Sequence, residues 1–255
     1  MSVIHAGPSA VNWSHPLNRG LVAWWLALPG SPRGRQFRSL TGKHHATLAG
    51  PTWGSSAGRP GGYGGLTFDG TNDAATTPIS ADLAMTVDHT LMCWVRAVTF
   101  GVTDILISSN ETPGANNLQY NLFFSTGGTL CTYMTNLVSS SLGAVTAGRW
   151  AHCAVTYVHA TTTSTIYVNG RADGTSTLVS KPSAITYYVS LGSENAGSQQ
   201  ADATVDDLRI SRRAFSADEM WAFYTLSRTG YRGLLQRVAT TGRRPPAAAA
   251  ATTRV

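Results

Sequence analysis

One pair of stretches constrains the fold more than any other part of the chain. Residues 150–157 (WAHCAVTY) and 163–168 (TSTIYV) are rich in β-branched and aromatic residues, and the second runs straight into Asn169-Gly170. Asn-Gly supplies the two positive φ angles of a type I′ turn, whose twist matches that of paired antiparallel strands. A hairpin is therefore expected, with residues 171–179 pairing back on 163–168. The same cadence of short apolar run and turn recurs at 21–26, 65–70, 90–97, 104–108, 118–125, 129–135, 186–192 and 203–211, with a shorter strand at 45–48. Residues 150–158 read as the longest strand. Gly127-Gly128 marks a second hairpin. About a dozen such strands predict an all-β sandwich or jelly roll. Only 13% of residues are charged, which suits short strands and tight turns better than helices. No repeat is visible.

One short C-terminal helix stands out. Ser216 and Glu219 form a capping box, and Met220, Phe223 and Tyr224 make one apolar face. The helix should end near Arg228. Residues 243–251 (RRPPAAAAA) are low-complexity and should not fold alone. The organisation expected is an N-terminal arm (1–18), a β-sandwich domain (19–228) and an extended basic tail (229–255).

Charge separates body from end. Residues 209–255 hold nine Arg against two acids, a net +7. The rest holds ten basic residues against eleven acids, a net −1. Arg232, Arg237, Arg243 and Arg244 are candidate anchors to a partner; a solvated tail is the alternative. Cys93, Cys131 and Cys153 make an odd set with no zinc or disulfide spacing, so free thiols are expected. Residues 1–16 do not read as a signal peptide, and no apolar run approaches membrane-spanning length, so synthesis in the cytosol without membrane insertion is expected.

Several stretches together are similar to a known pattern: 20–25 (GLVAWW), 66–73 (LTFDGTND), 150–157, 167–170 (YVNG), 205–210 (VDDLRI) and the Ser216 helix. In this order the chain resembles the laminin-G-like branch of the concanavalin A-like lectin/glucanase superfamily. The resemblance covers about residues 19–224 and implies a jelly roll used mainly for binding, with glycans as the default ligand. The flanks 15–20 (HPLNRG) and 229–235 (TGYRGLL) resemble those of laminin-G-like proteins of tailed bacteriophages. Two departures concern the site. Ala74 and Ala75 stand where relatives often carry an aromatic. Residues 38–42 (RSLTG) replace a segment in which relatives place an Asp that helps hold calcium.

Calcium is the one cofactor considered. It needs six to eight oxygens, and Asp69, Asn72, Asp73 and either Asp206 or Asp207 could supply some if their segments converge. The alternative is that Asp69, Asn72 and Asp73 make Asx-turns. Asp206 and Asp207 are adjacent in a strand, so they should face opposite sides and cannot pair as acid and base. Glycosidases of the superfamily place two Glu around an Asp on one strand face; with only Glu111, Glu194 and Glu219, that motif is absent, and no catalytic residue is assigned. His44-His45 lacks further zinc ligands, and His152 reads as a packed position. Trp13, Trp53, Tyr63, Tyr187 and Tyr188 are candidate sugar-stacking residues, with packing as the alternative for each. No base-reading motif accompanies the Arg pairs, so no specific nucleic-acid partner is expected.

The expectation is a bacteriophage virion structural protein, a capsid decoration or tail-associated protein. It would be assembled in the host cytoplasm beside other virion proteins or copies of itself, displaying a lectin-like domain to glycans or a host surface. A free bacterial carbohydrate-binding protein is the alternative, and a polysaccharide-cleaving enzyme stands behind both.

Overall fold

A computed structural model describes residues 9–28, 34–54, 59–101, 103–110, 120–133, 137–178, 188–194 and 199–237. Among these, the strands in chain order are β1 (Ser9–Val11), β2 (Leu21–Trp25), β3 (Gln36–Phe37), β4 (Ala46–Ala49), β5 (Thr52–Gly54) and β6 (Gly65–Asp69). They continue as β7 (Ala74–Thr76), β8 (His89–Ala97), β9 (Thr103–Asn110), β10 (Tyr120–Ser125), β11 (Thr129–Tyr133) and β12 (Leu137–Ser139). The last are β13 (Ala151–Val158), β14 (Thr163–Val168), β15 (Arg171–Thr177), β16 (Tyr188–Leu191), β17 (Asp202–Ser211) and β18 (Leu235–Arg237), with α1 (Ala217–Arg228) before β18.

Two eight-stranded antiparallel sheets stack as a sandwich. Sheet I runs β15-β14-β13-β8-β17-β6-β5, with β2 also on β17; sheet II runs β12-β11-β10-β9-β16-β7-β4-β3. Alternating residues of each sheet fill the space between them: Leu91, Cys93, Val95, Val155 and Ile210 from sheet I meet Leu106, Leu122, Phe124, Val138 and Leu191 from sheet II. The expected hairpin is present, with Asn169 at φ +51° and Gly170 at φ +78°. The longest strand is β17 with ten residues, not β13 with eight.

A third layer covers the outer face of sheet I. Met220 and Phe223 of α1, with Phe215, Tyr231 and Leu234, pack on Trp24, Met92, Ala154 and Tyr167. The capping box starts the helix as expected. The folded domain extends past the boundaries 19 and 228. Strands β1 and β18 pair as a ribbon, and Leu17, Asn18, Tyr231 and Leu234 are buried on sheet I. The chain needs these flanks because the outer face of sheet I would otherwise leave Trp24 and Met92 in water. Arg243 and Arg244 lie outside the described residues, as does the tail beyond Arg237.

Candidate functional site

The residues singled out for calcium do not converge. Asp69 pairs with Asp202 at one end of β17, and Asp206 lies four residues further on, roughly 13 Å along the strand. Asp206 is buried elsewhere, under the third layer. Asp69 instead accepts from the Thr71 amide at 2.9 Å, and Asp73 accepts from the Asp69 amide at 2.9 Å. This is turn chemistry: carboxylates stand in for backbone acceptors in a Gly-containing bend. Among the described residues, no three His, Cys, Asp or Glu side chains are grouped to hold a metal.

Asp206 and Asp207 break the expectation of opposite faces. Strand β17 pairs with β6 through Asp202–Val205 and with β2 through Leu208–Ser211. Where its neighbour changes, β17 carries one extra residue relative to β8, and Asp207 adopts φ +53°. This bulge resets the alternation. Both carboxylates therefore meet Arg59 on the outer side of sheet I, Asp206 at 3.5 Å and Asp207 at 3.6 Å. Asp206 also accepts from the Ala27 amide at 3.0 Å. Asp207 accepts from the Trp24 indole at 2.5 Å and the Tyr231 hydroxyl at 2.9 Å. Arg59 in turn donates to Tyr231.

A second buried cation, Arg209, lies between the rings of Trp24 and Phe223, 4.3 and 4.5 Å from their centroids, and donates to Asn18 at 2.8 Å. Those rings face guanidinium nitrogens that have no hydrogen-bond acceptor. Two cations thus balance two carboxylates in a sealed space. Burial pushes Asp206 up to about 7 against the pull of Arg59, and it raises Asp207 as well. Burial lowers Arg209 to about 10. For Arg59, burial acts downward, but Tyr231, Asp206 and Asp207 outweigh it and the pKa rises. His152 beside the cluster is lowered to about 3 by burial and by the two arginines. Every member is buried, and each charge has an opposite charge or an aromatic ring beside it.

Among the aromatic candidates Trp13 is exposed, and Trp53, Tyr63 and Tyr188 are partly buried. Trp53 stacks edge-on against Phe37 and donates to Gly34 at 3.2 Å. Tyr63 packs at the margin of the outer cluster. Tyr188 is half-buried, its phenol raised by burial and by Glu194. Tyr187 lies outside the described residues. Arg232 is exposed, and of Arg237 only the backbone, in β18, is described.

A different platform stands on the outer face of sheet II. Tyr120, Leu122, Phe124, Leu130 and Val138 point into the sandwich core, so Asn121, Phe123, Cys131, Tyr133, Leu137 and Ser139 point away from it. Phe123, Cys131 and Ser139 stand in one cross-strand row, and Tyr133 is paired with Leu137. Asn121 accepts from the Tyr133 amide at 2.6 Å, which fixes the strand end beneath that ring. Phe123, Cys131 and Ile105 form a buried apolar floor, while Tyr133 and Leu137 are exposed. None of these six is a carboxylate or a cation. Asn121 is itself buried, so what stands open is the Tyr133 ring with Leu137 beside it, a surface that can stack on the C–H face of a sugar while the phenol hydroxyl hydrogen-bonds it. Sequence reasoning missed Tyr133 because an isolated Tyr at a strand end resembles any other.

A laminin-G-type family model, described as the concanavalin A-like lectin/glucanases superfamily, matches residues 69–220, more than half of the chain. No curated protein sequence matches. Among solved structures, Trypanosoma rangeli sialidase is similar at TM-score 0.62 and 16% identity, over 81% of this chain and 33% of that one. The binding domain of Paraclostridial Mosquitocidal Protein 1 aligns at TM-score 0.61 and 14% identity, over 82% of this chain and 52% of that one. Domain 4 of AbnA, a GH43 extracellular arabinanase from Geobacillus stearothermophilus solved with arabinotriose, aligns at TM-score 0.61 and 12% identity, over 80% of this chain and 98% of that one. The chain spans about a third of the sialidase's length. At these identities the likeness is one of fold.

Proposed function

The chain belongs to the concanavalin A-like lectin/glucanase superfamily, and from that premise we propose that it is a glycan-binding module with no hydrolytic activity of its own. The observation that carries this reading is the platform around Tyr133. It lies on sheet II, whereas α1 and the terminal ribbon cover sheet I. Its described side chains carry no charge, which favours a neutral oligosaccharide, because an anionic sugar would call for a cation among the contacting side chains. The absence of hydrolysis is supported by the fate of Asp206 and Asp207. Their carboxylates are neutralised by arginines and sealed from solvent, so they cannot flank a glycosidic bond. The domain solved with arabinotriose shares the fold, which is consistent with a sugar ligand.

The setting we propose is a tailed-bacteriophage particle, with the domain as capsid decoration or tail-associated protein. Support comes from the resemblance of residues 15–20 and 229–235 and from the basic C-terminal region.

A neutral-polysaccharide array followed by calorimetry tests the binding. Tyr133→Ala should weaken binding about five- to thirtyfold with the melting temperature unchanged, since loss of one stacking ring is worth on the order of 1–2 kcal/mol. Equal binding by wild type and variant would remove the platform from the reading. Mass spectrometry of purified particles tests the setting. A sugar ligand without incorporation into particles would favour a free carbohydrate-binding protein.

A further inference from the structure

The buried charge cluster is tied to both flanks of the domain. From the bulge in β17, Asp207 reaches Tyr231 at 2.9 Å, and Arg59 donates to the same hydroxyl. From Arg209 the path runs to the Asn18 side-chain Oδ1 at 2.8 Å. The Asn18 side-chain Nδ2 then donates to Asn12 O at 2.8 Å and Leu234 O at 2.9 Å. Asn12 closes the loop, donating from its amide side chain to Gly233 O at 2.7 Å and from its backbone to Leu234 O at 2.9 Å. Every link lies between the sheet and the ribbon of β1 and β18.

The backbone of this segment turns on hydrogen bonds from Tyr231 N to Leu226 O and from Leu234 N to Tyr231 O, both at 3.0 Å. Gly230, Tyr231 and Gly233 adopt φ of +88°, +61° and +81°. A tyrosine in the left-handed region persists only where its surroundings impose it. Here the surroundings are the pair of Arg59 and Asp207 at the hydroxyl and Trp24 against the ring edge, 5.7 Å between centroids. The sandwich core is on the other face of the sheet: Val205, Leu208 and Ile210 of β17 point into it, whereas Tyr231 belongs to the outer apolar layer.

We infer that Arg59, Asp207 and Tyr231 form a lock that fixes the two flanking segments as one ribbon on sheet I, and that opening it frees the ribbon while the sandwich stays folded. Ser9 stands opposite Arg237 in the register. The chain therefore enters and leaves the ribbon at the same end, and a pull on either flank is transmitted through one buried cluster to β17. This coupling goes beyond ligand binding and does not depend on what the platform of sheet II recognises.

Hydrogen exchange on the full chain separates a lock from ordinary packing. The variants are Tyr231→Phe, which deletes one hydroxyl, and Asp207→Asn, with Phe124→Leu in the sandwich core as the reference. Amides of residues 9–12 and 231–237 should exchange at least tenfold faster in both lock variants, while β8 and β13 change less than twofold. Phe124→Leu should accelerate the sheets with no preference for the ribbon. If the lock variants accelerate ribbon and sheets by the same factor, or leave the ribbon unchanged, the inference is overturned. Should Asp207→Asn fail to fold, Tyr231→Phe alone decides.

Discussion

Removing Arg59 tests the electrostatic reading most directly. Its side chain is buried 3.5 Å from Asp206 and 3.6 Å from Asp207. In Arg59→Met the apolar volume is largely kept, but Arg209 is left facing two carboxylates. Deleting one partner of a buried ion pair costs about 3–5 kcal/mol, because the other charge stays behind. Unfolding entropy of ~2.1 cal/mol/K per residue gives about 0.5 kcal/mol/K for a chain of this length, so the melting temperature should fall by about 6–10 °C. The pH dependence is more diagnostic. Asp206 sits at about 7 when folded, above its ordinary value of 3.8. Between those values the folded state binds the proton more tightly, so Asp206 lowers stability as pH rises through that window. Without Arg59 the folded value climbs further and the window extends upward. The deficit of Arg59→Met should therefore be small near about pH 5 and larger near about pH 8.5. Melting followed by circular dichroism at both values measures it, and adding Asp206→Asn should recover more than half of the loss. A deficit that is absent at the higher pH, or equal at the two, would refute the reasoning.

Three further outcomes follow from other parts of the molecule. His89 and His152 are held neutral by burial, at about 4 and about 3 against an ordinary 6.5. Their contribution is intact above 6.5 and is lost as pH falls below it, about 2 kcal/mol each by pH 5; His152→Phe should flatten the acid limb of a stability–pH curve from chemical denaturation. Gly170→Ala puts a side chain at φ +78° with its Cβ 2.8 Å from Tyr224 Cβ, and should cost about 1–3 kcal/mol in the same denaturation assay. Cys93 and Cys153 stand opposite each other across β8 and β13, and both are sealed, as is Cys131. A thiol reagent should label none of the three in the native protein and all of them in denaturant, read as mass added per chain.

The sandwich was legible because its signals are local. Asn169-Gly170 specifies its turn by backbone sterics alone, and Ser216 with Glu219 specifies a helix start by two hydrogen bonds within four residues. Strands β3, β5, β7 and β12 were not marked out. Each is two or three residues long and is a strand only because a neighbour pairs with it. The ribbon of β1 and β18 joins residues more than two hundred positions apart, and no local pattern announces such a pairing. Tyr133 was missed for a related reason: its exposure depends on which face of sheet II the alternation gives it.

Asp206 and Asp207 show where the strand rule itself gives way. Period-two alternation holds while a strand keeps one neighbour on each side, and it placed these carboxylates apart. Strand β17 exchanges β6 for β2 at that point, and the bulge needed for the exchange turns both side chains toward one cation. A trace of this was available in the sequence. Two adjacent acids inside an otherwise apolar strand cannot both be buried without a partner. The chain offers Arg209 two residues later and Arg59 in a Gly-rich loop, where Gly61 lets the backbone pass close to Ser227 O. The cost of burying charge therefore forecasts that acids so placed will have arginines beside them. It does not forecast which arginines, because that choice is made by the crossing of β2, β6 and the terminal segment, and those meet only in the folded molecule.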